Sequence, residues 1–288
     1  MEIVHLLASN IEILVACSAL FGLFVGSFLN VVIVRLPIML ERGWKSECRE
    51  LLELDSENKE DEKKFNLLVP RSHCPKCGAV IRSFENIPVI SYLIKKGKCQ
   101  HCHNKISIQY PLIEIATGIL TGFVAYKFGF TWQAATAAIL MWGLISLAII
   151  DLKTTLLPDN ITFPLLWLGI IANYFGLFCS LEDSILGAIF GYLSFWAVFQ
   201  IFRLITGKEG MGYGDFKLLA LLGAWLGWQY LFAIILISSV VGSIIGITLI
   251  ATKALNRDIP IPFGPYLALG GIICLLWGDK VKSTFNFL

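Results

Sequence analysis

The sequence predicts an all-α polytopic membrane protein of about eight transmembrane helices, with a small cytoplasmic zinc-ribbon-like module between the first span and the rest. Three observations carry this. Hydrophobic residues make up 56% of the 288 and charged ones 15%, a balance too apolar for a soluble globule. Polar punctuation cuts the apolar sequence at intervals close to the roughly twenty residues that a helical span needs. The one long polar section holds two CxxC pairs. The net charge of +2 points to no nucleic-acid partner, and the lipid bilayer is the first partner the composition names.

The first span covers residues 11–34. It has no basic residue before Arg35, so it lacks the positive flank of a cleavable signal and should stay in the membrane. Gly22 and Gly26, four apart, favour close helix packing, and Asn30 near the end of the span needs a partner inside the bundle. Arg35, Leu36 and Pro37 mark its boundary, so residues 1–37 form the first division of the chain. Residues 38–109 form the second, a cytoplasmic domain that opens with a charge-dense stretch over 41–65, read as a solvated helix or a partly disordered segment.

Within that domain Cys74-Pro75-Lys76-Cys77 and Cys99-Gln100-His101-Cys102 stand twenty-one residues apart (78 to 98). Each CxxC turn supplies two thiolates, and two such turns complete the tetrahedral shell of a structural Zn²⁺. Redox-active pairs are the alternative. His73, His101 and His103 flank the knuckles, but four sulfurs already fill the shell.

Residues 110–288 form the third division, a membrane core of seven further spans at 110–126, 132–150, 161–178, 185–205, 216–228, 230–251 and 263–277. The apolar run over 216–251 is about 54 Å long as one helix, nearly twice a hydrocarbon core, so it must turn, and Trp225, Trp228 and Tyr230 mark where. Placing the basic connections in the cytoplasm leaves only Lys127, Lys280 and Lys282, of the 23 Lys and Arg, on the other side. Both termini are then periplasmic and the cysteine module cytosolic.

Acids beside such spans mark function. Asp215 follows three alternating glycines in Gly210-Met211-Gly212-Tyr213-Gly214-Asp215, a segment against which an extended peptide could lie, or a turn that Asp215 caps. Asp151 ends the third span, where the helix dipole disfavours negative charge, so something else must favour it. The topology puts both on one membrane face. Two carboxylates that share a site hold one proton between them, so one acts as base on a water that attacks a peptide carbonyl. Asp159 or Asn160 reads as the N-cap of the fourth span. Glu114 reads as an orienting group or as a structural partner for a Lys.

The chain resembles the type IV prepilin leader peptidases. The residues that carry the resemblance are Gly26-Ser27-Phe28-Leu29-Asn30, Arg35-Leu36-Pro37, the four cysteines, Glu85-Asn86-Ile87-Pro88, Tyr110-Pro111-Leu112-Ile113-Glu114, Asp151 with Leu157-Pro158-Asp159, Gly212-Tyr213-Gly214-Asp215, and Pro262-Phe263-Gly264-Pro265. The resemblance implies an inner-membrane enzyme that cuts the leader from prepilins and pseudopilins with Asp151 and Asp215. It also implies N-methylation of the new N-terminal residue from S-adenosylmethionine; no glycine fingerprint identifies residues for that donor. The competing readings are a peptidase that does not methylate, and a non-catalytic zinc-ribbon scaffold or transporter. A transporter would show polar groups at mid-membrane and a repeat between its halves, and neither is present.

Overall fold

A computed structural model describes residues 7–53, 65–81, 87–252 and 261–285. Residues 54–64 of the charged stretch expected to be solvated, and Glu85 and Asn86 of the sequence motif, lie outside the described residues. Among the described residues the chain is helical, its only strand-like pairings being two isolated bridges, His73 with Val80 and Lys98 with Lys105. It divides into two compact units, residues 1–130 and 131–288.

The first unit is built on α1 (Ile11–Leu51), the short α2 (Ile90–Ile94) and α3 (Gln109–Phe128). Asn10 starts α1 by accepting the amides of Glu12 and Ile13 at 3.1 and 3.3 Å, which satisfies two donors that a helix start leaves unmet. Small residues bring α1 and α3 together. A Cβ on Gly22 would stand 2.7 Å from Thr121 Oγ1, and one on Gly26 would stand 2.7 Å from the Glu114 Cα, so the glycine spacing read from the sequence is the contact itself.

The helix of the first span continues past the expected boundary at Arg35-Leu36-Pro37: α1 runs through Pro37 to Leu51 as one helix of 41 residues. That is about 62 Å, twice a hydrocarbon core. The second half is held from its flank: Arg35 donates to the carbonyls of Asn66 and Leu67 at 2.9 and 3.3 Å. Its guanidinium and that of Arg42 lie over the Phe65 ring, at 5.8 and 4.5 Å.

The second unit contains α4 (Trp132–Thr154), α5 (Asp159–Tyr174), α6 (Leu181–Thr206), α7 (Tyr213–Leu226), a 3-10 turn (Trp228–Tyr230), α8 (Leu231–Ala251) and α9 (Gly264–Phe285). The apolar run does turn where the aromatic residues predicted, at Gly227, whose φ of 87° suits glycine. The centre of this unit is α7. Phe216, Leu218, Leu219, Leu221, Leu222, Ala224 and Trp225 on it are completely buried. On α6, Gly187 and Gly191 face α7 backbone to backbone: a Cβ on Gly187 would sit 2.2 Å from the Gly223 carbonyl oxygen. The far end of α7 is closed by Asn173, which donates to the carbonyls of Ala224 and Trp225 at 2.8 and 3.0 Å.

Among the described residues five helices are long and apolar enough to cross a membrane: α1, α3, α4, α6 and the segment Trp228–Ala251. The other three expected spans coincide with α5, α7 and α9. With 16 and 14 residues, α5 and α7 reach only about 24 and 21 Å, and α9 carries Asp279, Lys280 and Lys282 near its end. A helix as short as α7 is tolerable because protein, not lipid, surrounds it.

The α6–α7 contact yields a direct test. In Gly223→Val a side chain must occupy space now filled by the Gly187 backbone, whose carbonyl oxygen is 2.1 Å from the position of the new Cβ. Unlike a side chain, that backbone cannot swing aside, so the melting temperature of the detergent-purified protein should fall by about 5 °C or more. An unchanged melting curve would contradict this packing.

Candidate active site and metal centre

The two acids reach their places from opposite helix ends. Asp215 is the third residue of α7, where the dipole welcomes negative charge, whereas Asp151 lies in the last turn of α4, where it does not. What favours Asp151 is the start of α9: the Gly264 amide donates to Asp151 Oδ2 at 2.9 Å, in a buried bond. Here a helix N-terminus meets a carboxylate and offsets the unfavourable dipole of α4. In the sequence Gly264 stands within the Pro262-Phe263-Gly264-Pro265 motif with no role of its own. The available signal was Pro265, a favoured first residue of a helix.

Asp151 is 4% exposed and Asp215 is 9% exposed. Leu157 locates them further. A Cβ on Gly214, next to Asp215, would stand 2.9 Å from the Leu157 Cβ, and one on Gly264 would stand 3.2 Å from the Leu157 Cδ2 and 2.6 Å from Asp151 Oδ2. The structure therefore brings both predicted acids to one Leu157-centred corner.

The alternating glycines divide in role. None has a positive φ, so backbone freedom is not what they supply. Gly214 provides room for Leu157, Gly210 would clash with the Phe202 ring, and only Gly212 faces open space, with extended angles of −81° and 145° at the N-cap of α7. Asp215 is thus inside the first turn and not its cap. The expectation that Asp159 or Asn160 caps the fourth span is also corrected: the cap position is Pro158, and no side chain caps that end. Asp159 instead holds Lys217 of α7 at 2.8 and 2.9 Å through both its oxygens, and Lys217 also lies 5.2 Å from the centre of the Phe163 ring. Lys217 was not singled out from sequence.

In the first unit the four predicted metal ligands come together. The Sγ atoms of Cys74, Cys77, Cys99 and Cys102 all lie within 4.8 Å of one another. Cys74 and Cys102 are 3.7 Å apart, against the edge of about 3.8 Å that tetrahedral Zn–S bonds of about 2.3 Å require. The two knuckles repeat one geometry. Cys74 N bonds Ala79 O and Gly78 N bonds Cys74 O, both at 2.9 Å; Cys99 N bonds Asn104 O at 2.9 Å and His103 N bonds Cys99 O at 3.0 Å. Gly78 and His103 take the same left-handed position, at φ 70° and 53°. His103 therefore serves the turn, and all three flanking histidines are exposed.

The amides of Cys77 and Lys76 pull the Cys74 thiol down to about 6, and those of Cys102 and His101 lower Cys99. Cys77 keeps an Ala79 amide in its favour, yet desolvation and the neighbouring sulfurs push it up to about 11. Each knuckle thus has one sulfur shifted toward the thiolate, and a dication would draw the others into that form. The donor set fits Zn²⁺.

Glu114 is held differently from expectation. Among the described residues its partners are the Val89 amide, at 2.7 Å, and the Ser27 side chain, not a lysine.

An all-helical membrane chain with two buried acids at converging helix ends and a four-thiolate module has the site pattern of an aspartic membrane peptidase. The profile described as bacterial peptidase A24 N-terminal domain matches residues 20–128, and that of the type IV leader peptidase family matches residues 138–247. The chain is 55% identical to a prepilin leader peptidase/N-methyltransferase from Pseudomonas aeruginosa over 99% of its own length and 98% of that protein. It is 54% identical to one from Stutzerimonas stutzeri, over 98% and 97%, and 46% identical to one from Neisseria gonorrhoeae, over 95% and 94%. The chain belongs to the type IV leader peptidase family. No solved structure matches it.

For the cysteines the expected result is one zinc per chain in the purified protein, measured by elemental analysis, and its loss in Cys77→Ser, because three thiolates no longer close the shell. Stoichiometric metal in that variant, or none in the parent, would refute the assignment.

Proposed function

We propose that this chain removes the leader peptide from type IV prepilins and type II secretion pseudopilins, with Asp151 and Asp215 as its catalytic pair, and then methylates the new N-terminal amine. The observation that carries the acid assignment is the convergence of Asp151 and Asp215 on Leu157 and Gly264, in a family whose curated members bear the double name peptidase/N-methyltransferase.

The division of labour follows from the geometry. One oxygen of Asp151 is engaged by the Gly264 amide, which fixes the carboxylate plane and leaves the other oxygen for a water or a substrate carbonyl. Two acids this close in a buried corner hold one proton between them, so one serves as general base while the other donates to the carbonyl oxygen. Gly212, open and extended at the start of α7, gives a substrate backbone room beside Asp215. The Asp159–Lys217 pair is half exposed and contributes on the order of 1 kcal/mol or less. Its use is in tying α5 to α7 below the acids.

The relatives' second name implies S-adenosylmethionine, which supplies an electrophilic methyl group when bound. Cys74, Cys77, Cys99 and Cys102 would hold a structural zinc that orders residues 38–109. The basic asymmetry supports a topology with that domain and the acids at the cytoplasmic face of the inner membrane, eight helices crossing and both termini periplasmic. The packing of α5, α7 and α9 within the second unit supports the higher span count beyond the five helices that meet it by length.

The test is co-expression with a prepilin, reading leader loss and N-terminal methylation together by mass spectrometry. Asp151→Asn and Asp215→Asn should each lower cleavage about as far as the double variant does, since residues that act as one unit are strongly non-additive. Methylation of a substrate supplied already cleaved should persist in all three. Asp159→Asn should retain much of the activity. If Asp151→Asn cleaves at near the parent rate while Asp159→Asn does not, the pair is Asp159 with Asp215. Cleavage without methylation in the parent would favour a peptidase alone.

A further inference from the structure

The acid pair leaves unused a second buried polar cluster, which lies in the first unit. Asn30 on α1 is 4% exposed. Its Nδ2 donates to the carbonyls of Gly26 and Tyr110, at 3.2 and 3.1 Å, while its Oδ1 is the one buried side-chain atom among the described residues without a hydrogen-bond partner. One turn along α3 from Tyr110, and facing Gly26 across the helix contact, stands Glu114, 8% exposed.

A carboxylate offers about four lone-pair sites, and the Val89 amide and Ser27 use two of them. Both these partners are neutral donors. A polar pair that only joined two helices would satisfy its own groups, as Asn173 does at the end of α7 with both its amide nitrogen and its oxygen. Among the described residues this amide oxygen has no donor and the carboxylate has only those two, and an acid at this depth in a span is a functional feature by default.

Two further facts narrow the ligand. Val89 holds φ at 61°, a conformation that costs a β-branched residue and is kept only where its surroundings require it; it turns the Val89 amide onto Glu114. Beside Val89 an apolar cleft of about 280 Å³ is lined by Leu23, Phe24, Pro88, Ile90 and Ile115. Acceptors and negative charge beside an apolar cleft suit a cation with N–H donors joined to an apolar side chain.

We propose that the Asn30–Glu114 cluster binds the α-ammonium group of the cleaved polypeptide, with its apolar first side chain in the adjoining cleft. The ammonium brings three N–H donors and a positive charge, which match Asn30 Oδ1 and the open side of Glu114. The proposal rests on the methyl-transfer half of the function above, whose acceptor is such an amine. It gives that half a binding site in the first unit.

The experiment measures binding of three fluorescent peptides to the detergent-purified full chain. All have the same apolar sequence beginning with Phe: one has a free α-amine, one is N-acetylated, and one is N-acetylated with a single internal Lys. The free-amine peptide should bind about tenfold more tightly than the acetylated one, the scale of a hydrogen-bonded charge. Asn30→Leu and Glu114→Gln should abolish that difference, while Asn30→Asp, which adds charge at constant size, should widen it.

Equal binding of the free and acetylated peptides by the parent would overturn the proposal, and so would an undiminished preference in Asn30→Leu. Binding of the Lys peptide as tightly as the free-amine peptide would overturn the assignment to the α-ammonium. Prepilin cleavage by the same preparations reports folding. If Glu114→Gln has lost cleavage, the two Asn30 variants decide the matter. A parent that binds the free-amine peptide selectively but cleaves no prepilin would sink the functional reading and leave the site standing.

Discussion

A carboxylate in the last turn of a buried helix is disfavoured twice, by desolvation and by the carbonyl dipoles beneath it. Asp151 occupies that position because the first amide of α9 is aimed at it. Much of the second unit can be understood as the means of delivering this one bond. Helix α9 must begin at Gly264, whose missing side chain leaves space for the Asp151 oxygen, and Leu157 must fill the corner between Gly264 and Gly214. Asp215 is then presented from the favourable end of α7, a helix too short to span a membrane and enclosed by protein. The backbone contact of Gly187 with Gly223 and the carbonyls capped by Asn173 fix that helix in height and rotation. A small sideways shift of α7 would move Asp215 off the corner.

The first unit follows another logic. Its two long helices meet through glycines and threonines, and the only acid at their contact holds a loop amide. The cysteine module hangs from the same unit on two repeated turns. Gly78 and His103 occupy equivalent left-handed positions there, so a residue that invites reading as a metal ligand is in fact part of the turn.

Much of the architecture was legible in the sequence because membrane helices announce themselves by composition, and because CxxC spacing and acids beside apolar runs have few inexpensive explanations. The turn inside 216–251, the Gly22–Gly26 contact and the gathering of four cysteines all follow from local pattern. What was not legible depends on long-range partners. Pro37 suggested a boundary, but side contacts from residues 65–67 support the helix beyond it. Asp159 had the pattern of a cap, and only the fold supplies Lys217, 58 positions away. Gly264 sat in a motif with no stated purpose because its purpose is an amide directed at a residue 113 positions earlier.

The central claim is that the Gly264 amide and the space beside it hold Asp151 in a working position. Gly264→Ala tests this most directly, since the new Cβ would fall 2.6 Å from Asp151 Oδ2 and one of the two must move. Displacement of a reacting group by about an ångström costs on the order of a hundredfold in rate. The account predicts that prepilin cleavage by purified Gly264→Ala falls by about that factor while its melting temperature stays close to the parent's. Cleavage at the parent rate in a folded Gly264→Ala protein would contradict it.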